Sequence, residues 1–133
     1  MIERSNPDVG YIAPAIYEDI GVSQVVKAQG LVHYSGIVPA GPDGTCVSPG
    51  DAVAQVRWVL EVLRRLLDGD GLSMKHLVSV TVYTTDIERL AAQMGLFSEA
   101  FRGAAPASTW IEVRRLADAD FLLELVPVAA LEL

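Results

Sequence analysis

The sequence predicts an α/β domain of the α+β type, a two-layer sandwich with two helices on one face of a mixed sheet, in the order β-β-α-β-α-β-β. Three observations carry this. The segment SPGDAVAQVRWVLEVLRRLLDGDG spaces its apolar residues at the helical period. LVSVTVYT alternates and is rich in β-branched side chains. The two kinds of segment interleave along 133 residues with no linker or internal repeat. A chain this long is expected to form one domain, residues 1–133, burying roughly two-thirds of its unfolded surface.

Residues 1–20 contain Pro7 and Pro14 and little periodicity, so they read as an irregular arm. In VSQVVKAQGLVHYSGIVP two β-rich runs flank Gln29-Gly30, a hairpin signal. AGPDGT is a polar loop leading to Cys46. The long helix is expected to start with Ser48 as N-cap, Pro49 at the first helical position and Asp51 three residues after the cap. Ala52, Val56, Val59, Leu60, Leu63 and Leu67 form its apolar face; Gln55, Arg57, Glu61, Arg64 and Asp68 take the polar side. Trp58 and Val62 fall on a flank open to a neighbouring subunit, and Gly69 and Gly71 end the helix. LVSVTVYT follows as a strand. Thr85 and Glu88 then form a capping box for a helix through Ile87, Leu90, Met94, Phe97 and Phe101. Gly95 within it costs about 1 kcal/mol relative to alanine. STWIEV and FLLELVPV are the last strands. Pro127 cannot donate to a ladder, so its N–H side is expected at an edge or bulge.

Half of the residues are hydrophobic (51%) and only 20% are charged. That is more apolar surface than so small a domain hides alone, and the uncovered sheet face is expected to be apolar and to meet a second copy. The net charge of −7 and the scattered Lys and Arg argue against nucleic acid. No signal-peptide pattern and no apolar run of about 18 residues appear, which predicts a cytoplasmic protein without a membrane segment. One cysteine and two distant histidines leave no internal disulfide and no metal cluster.

No phosphate-binding glycine loop, nucleophile elbow or zinc spacing is present. His33, His76 and Cys46 read as ordinary structural or surface residues. Glu124 interrupts an apolar strand and shares a face with Leu122 and Val126. It fits either a functional carboxylate with a raised pKa or a strand-end residue in solvent, and periodicity does not choose between them. In STWIEV, Ser108, Trp110 and Glu112 share one face, and Thr109, Ile111 and Val113 the other. Trp110 reads first as a core filler.

Together, VVKAQGLVHYSGIVP, HLVSVTVYTTDIERL, FSEAF, PASTWIEVRRL and LELVPVA resemble, in order, the motifs of the RidA/YjgF family (also called L-PSP) from about Val22 onward. The resemblance implies a chorismate-mutase-like subunit in a homotrimer, with small-molecule clefts between subunits. It also implies cofactor-free hydrolysis of reactive enamines and imines, in which an Arg pairs with the substrate carboxylate and a Glu holds the attacking water. Ser35 and Gly36 match the family's Ser-Gly, and Glu124 matches the water-holding Glu. Pro106, Glu112 and Arg115 match as well. The family's Arg is Ser108 here and its neighbouring Cys is Trp110, with Thr109 between them. An Asn becomes Gly95, a Gln becomes Ile37, and the family's Tyr aligns near Val22, leaving Tyr17 as its substitute.

These substitutions shape the functional expectation. Ser108 cannot balance an anion, and Arg114, six residues along the strand, is about 20 Å away. The expectation is a divergent hydrolase or deaminase of a neutral or aromatic imine, enamine or related molecule, stacking on Trp110. In it Glu124 and Ser35 carry the catalysis, and Ser108, Thr109, Trp110, Gly36, Ile37, Tyr17 and Gly95 line the ligand site. The alternative is a non-catalytic ligand-binding or regulatory protein whose cleft has lost the Arg. RNA cleavage fits the acidic charge poorly.

Overall fold

The computed structural model describes residues 1–133. Its elements are β1 (Glu3–Ser5), α1 (Pro14–Ile20), β2 (Val25–Ala28), β3 (Leu31–Tyr34), α2 (Ala52–Gly69), a 3-10 turn (Met74–His76), β4 (Leu77–Thr84), α3 (Ile87–Ala91), α4 (Met94–Ala100), β5 (Ala107–Glu112) and β6 (Leu123–Ala130). One six-stranded sheet has the order β1-β2-β3-β6-β4-β5, antiparallel except for the parallel β4–β5 pair. The mixed sheet and the α+β class are as the sequence predicts.

The arm differs from expectation. Glu3–Ser5 pairs with β2, and Pro14 opens a seven-residue helix closed by Gly21 in the left-handed region. Elements this short lack the repeats that make periodicity visible. The hairpin holds: Gln29 and Gly30 both have positive φ (56° and 77°), as a type I′ turn requires.

The long helix starts three residues later than predicted. Gly50 at φ 79° and Ser48 at φ 52° form a turn that no helix can continue, so Asp51 is the N-cap and accepts from the Ala54 N–H at 3.0 Å. Val56, Val59, Leu60, Leu63 and Leu67 face the core as expected, joined by Leu66 and by Val62, which is wholly buried rather than set on a flank. Trp58 is half-buried, its indole N–H donating to the Ala40 carbonyl at 2.7 Å. The second predicted helix is two, α3 and α4, broken at Ala92-Gln93 just before Gly95. Its cap is Asp86, which accepts from the Arg89 N–H, rather than Thr85.

Pro127 lies in a central strand, neither at an edge nor at a bulge of its own strand. Leu125 and Leu131 direct their N–H groups toward β3, at Ile37 and Gly30, so residues two apart, Pro127 included, point the same way. The β3–β6 pairing ends at His33–Val128 and resumes only at Ile37–Leu125. The missing donor faces that gap, where the chain at Ser35-Gly36 leaves the ladder.

The core lies between the sheet and α2. Alternation along β6 puts Leu123, Leu125 and Ala129 there, and turns Glu124, Val126 and Val128 to the other face. That face is more polar than expected: register aligns Val128 with Ser79, Val126 with Thr81 and Thr109, and Glu124 with Tyr83 and Ile111.

Candidate active site

The gap in the β3–β6 ladder builds the first half of the site. Ile37 and Leu125 exchange two backbone hydrogen bonds (2.8 and 2.9 Å), which leaves Ser35-Gly36 arched beside Glu124. A Cβ on Gly36 would come within 2.6 Å of the Glu124 carboxyl carbon. Real Cβ atoms do not approach so closely, so glycine is what admits the carboxylate. Glu124 is half-buried, makes no hydrogen bond or ion pair within the subunit, and burial raises its pKa above the ordinary 4.5. A poorly solvated, unpaired carboxylate is a poised base.

Tyr17, placed in the ligand set from the sequence, is near enough to feel the charge of this carboxylate. Its hydroxyl is buried and makes no well-formed hydrogen bond, and its pKa is pushed up to about 12 by burial, partly offset by the neighbouring Tyr11 hydroxyl and raised further by the charge of Glu124. Tyr11 was not expected. Its hydroxyl accepts from the Val38 N–H at 2.8 Å, and Tyr17 and Glu124 both contribute to raising its pKa, after burial. Both phenols therefore stay protonated and can donate toward a group held by Glu124. Tyr11 belongs to the unpatterned arm, so no sequence signal pointed to it.

Ser35 and Ile37 are both engaged within the subunit. The Ser35 hydroxyl donates to the Ser23 carbonyl at 2.7 Å and its N–H to the Gln24 carbonyl at 2.9 Å, so it braces the arch instead of offering its proton to a ligand. Ile37 has 0% exposure and packs in the core. Its pairing with Leu125 fixes its side chain on the helix side, out of reach of a ligand.

The second half lies on β5. Ser108, Trp110 and Glu112 share a face, as alternation requires, and pairing with Val80, Val82 and Thr84 makes it the helix side. Trp110 is half-buried against Phe97 of α4, with ring centroids 5.2 Å apart at 60°. The Glu112 carboxylate accepts from the Ile87 N–H at 3.0 Å and so ties α3 to the strand. An open groove of about 390 Å³ runs along Met94, Phe97, Ser98, Arg102, Ser108 and Trp110. Thr109 faces the opposite side, with Thr81, and Gly95 is exposed and does not line the groove. Strand parity places Thr109 on the Glu124 face of the sheet, and Gly95 lies on the exposed side of α4.

Within one subunit the two halves stand on opposite faces of the sheet, with Glu124 and Tyr17 in one and Ser108 and Trp110 in the other. No three His, Cys, Asp or Glu side chains converge as a metal site would need. Burial and the carboxylates of Asp118 and Asp120 push the Cys46 thiol up, which keeps it protonated. No helix is long and apolar enough to cross a membrane.

A mixed six-stranded sheet layered with helices is the fold this chain shares with solved Rid-type subunits. The chain belongs to the RidA/YjgF family: the family model described as Endoribonuclease L-PSP matches residues 15–131. It is 33% identical to a RutC family protein of Pyrococcus horikoshii over 107 residues, 80% of this chain and 84% of that one. It is likewise 33% identical to the 3-aminoacrylate deaminase RutC of Acinetobacter baylyi over 103 residues, covering 77% of this chain and 81% of the relative. Among solved structures, the conserved Rid family protein YyfA of Yersinia pestis superimposes with a TM-score of 0.83 at 25% identity, covering 98% of this chain and 99% of that one. The yjgF gene product of E. coli gives 0.79 at 25% identity, over 96% and 98%.

Proposed function

We propose that this protein hydrolyses a small imine or enamine to the corresponding carbonyl compound and ammonia. The observation that carries the reading is the Glu124 carboxylate, half-buried and unpaired over Gly36. Ionised, it holds a water and takes its proton as the oxygen attacks the imine carbon; the proton then passes to the departing nitrogen. Tyr17, protonated and making no well-formed hydrogen bond, donates to the developing oxygen or nitrogen. Such general base catalysis contributes about 10²–10⁴-fold, and the chemistry requires no cofactor. Support comes also from the relative named as a 3-aminoacrylate deaminase.

The reading assigns a cytoplasmic homotrimer of single-domain subunits, in which the Glu124 half of one copy meets the Ser108–Trp110 half of the next. The uncovered sheet face, with half-exposed Val126 and Val128 and exposed Ile111, supports such an assembly. A non-catalytic ligand-binding protein is the second reading, favoured by Trp110 packing on Phe97 next to a serine in place of the family's arginine.

The deciding measurement is ammonia release from 2-aminoacrylate generated in situ. Glu124→Gln is expected to lower kcat by about 10²-fold or more, and an unchanged kcat overturns the catalytic reading. The carboxylate must be ionised to act and burial raises its pKa. The kcat/KM profile should therefore fall toward acid with an apparent pKa above the 4.5 of an ordinary Glu, and Glu124→Gln should lack that limb.

A further inference from the structure

We infer that Arg102 replaces the missing strand arginine as the reader of a substrate carboxylate, so that the groove beside Trp110 takes an anionic ligand with a planar apolar body. Ser108 alone offers a neutral hydroxyl, and β5 itself, Ala107–Glu112, carries no cation. The fold supplies a different cation. Arg102 follows α4 directly, and Gly103 at φ 85° reverses the chain so that only four residues separate Phe101 from Pro106. This short connection puts Arg102 on the wall of the groove that Ser108 and Trp110 line.

Three observations identify the ligand chemistry. Arg102 is the only charged residue on the groove, which holds no acid at all although the chain carries a net charge of −7. Its guanidinium takes part in no ion pair or hydrogen bond within the subunit, so all of its donors are free for a ligand, unlike those of Arg64 and Arg65, which are held by Glu61. The rest of the wall is apolar or aromatic, apart from Ser98, whose hydroxyl is spent on the Gly95 carbonyl at 3.1 Å, and Ser108, whose hydroxyl has no partner. One free cation, one free hydroxyl and the Trp110 indole in about 390 Å³ fit a carboxylate on a flat, unsaturated or aromatic skeleton. The neutral substrate expected from the Ser108 position gives way to an anionic one, because the compensating charge arrives from a helix end rather than from the strand.

The inference rests on the groove being half of the reaction site, but its test is binding alone. Calorimetric titration with phenylacetate and with its neutral isostere phenylacetamide compares the two head groups on one ring. Wild type should bind phenylacetate about tenfold or more tightly than the amide. Arg102→Met should erase that preference, and Arg102→Lys should keep part of it. Arg102 is exposed and makes no side-chain contact by hydrogen bond, so both variants should fold. Equal binding of the two probes by wild type, no binding of phenylacetate, or an unchanged preference in Arg102→Met overturns the inference. A preference for phenylacetate in a protein that releases no ammonia sinks the hydrolase reading and leaves the Arg102 assignment standing.

Discussion

Alanine at position 36 is expected to lower the rate of ammonia release by about 10²-fold while leaving the protein folded. The added methyl would occupy the space of the Glu124 carboxyl group, 2.6 Å from its carbon, and the carboxylate has to swing toward solvent. Gly36 does not have a positive φ, so alanine suffers no backbone strain there and the effect is confined to the displaced side chain. Released from burial, Glu124 should titrate nearer 4.5. The signature is therefore double: kcat falls, and the acidic limb of kcat/KM moves to lower pH. A variant with wild-type kcat and an unmoved limb would show that the seat over Gly36 is not what poises the base.

Leucine at position 55 is expected to reduce the unfolding free energy by about 1–3 kcal/mol, read as a lower denaturant midpoint at unchanged slope. Gln55 is 1% exposed and joins the turn before its own helix to a loop from the far end of the chain. Its amide nitrogen donates to the carbonyls of Ser48 (3.2 Å) and Asp120 (3.0 Å), and its oxygen accepts from the Leu122 N–H at 2.8 Å. Leucine nearly matches its volume but leaves the Leu122 N–H unpaired, since the Ser48 carbonyl still accepts from the Asp51 N–H and the Asp120 carbonyl from the Cys46 thiol, and a buried group left without a partner costs about 1–3 kcal/mol. The Leu122 bond matters for function as well, because it anchors the chain immediately before the strand that carries Glu124. A midpoint within experimental error of wild type would show that water replaces the clamp at no net cost.

Gln55 also marks where the sequence was readable and where it was not. At helical spacing it falls among polar residues and reads as surface, whereas a loop from the far end of the chain, Asp120–Leu122, closes over it. The apolar stripe of the same helix was legible because Val56, Leu60, Leu63 and Leu67 repeat a period that burial enforces. The cap was misread at Ser48 because the choice of Asp51 depends on the left-handed turn at Gly50, which a residue type permits but does not dictate. Glu124 stood out as a charge inside an apolar strand, yet only the tertiary structure shows it half-buried against Gly36 rather than solvated at a strand end. Tyr11 carried no signal at all.

By itself, the sequence determined the alternation and helical periods that set the α+β class, the facing of Ser108 with Trp110, and the motifs that place the chain in its family. These depend on local periodicity and on residue identity, both written along the chain. Only the tertiary structure decided which face is which: that Ser108 and Trp110 lie on the helix side, that Thr109 and Glu124 lie opposite, and that Arg102 returns to the groove from the end of α4. Those assignments come from strand order and chain reversal between residues distant in sequence. A period of two fixes that neighbours point apart, but the sheet's packing alone fixes toward what.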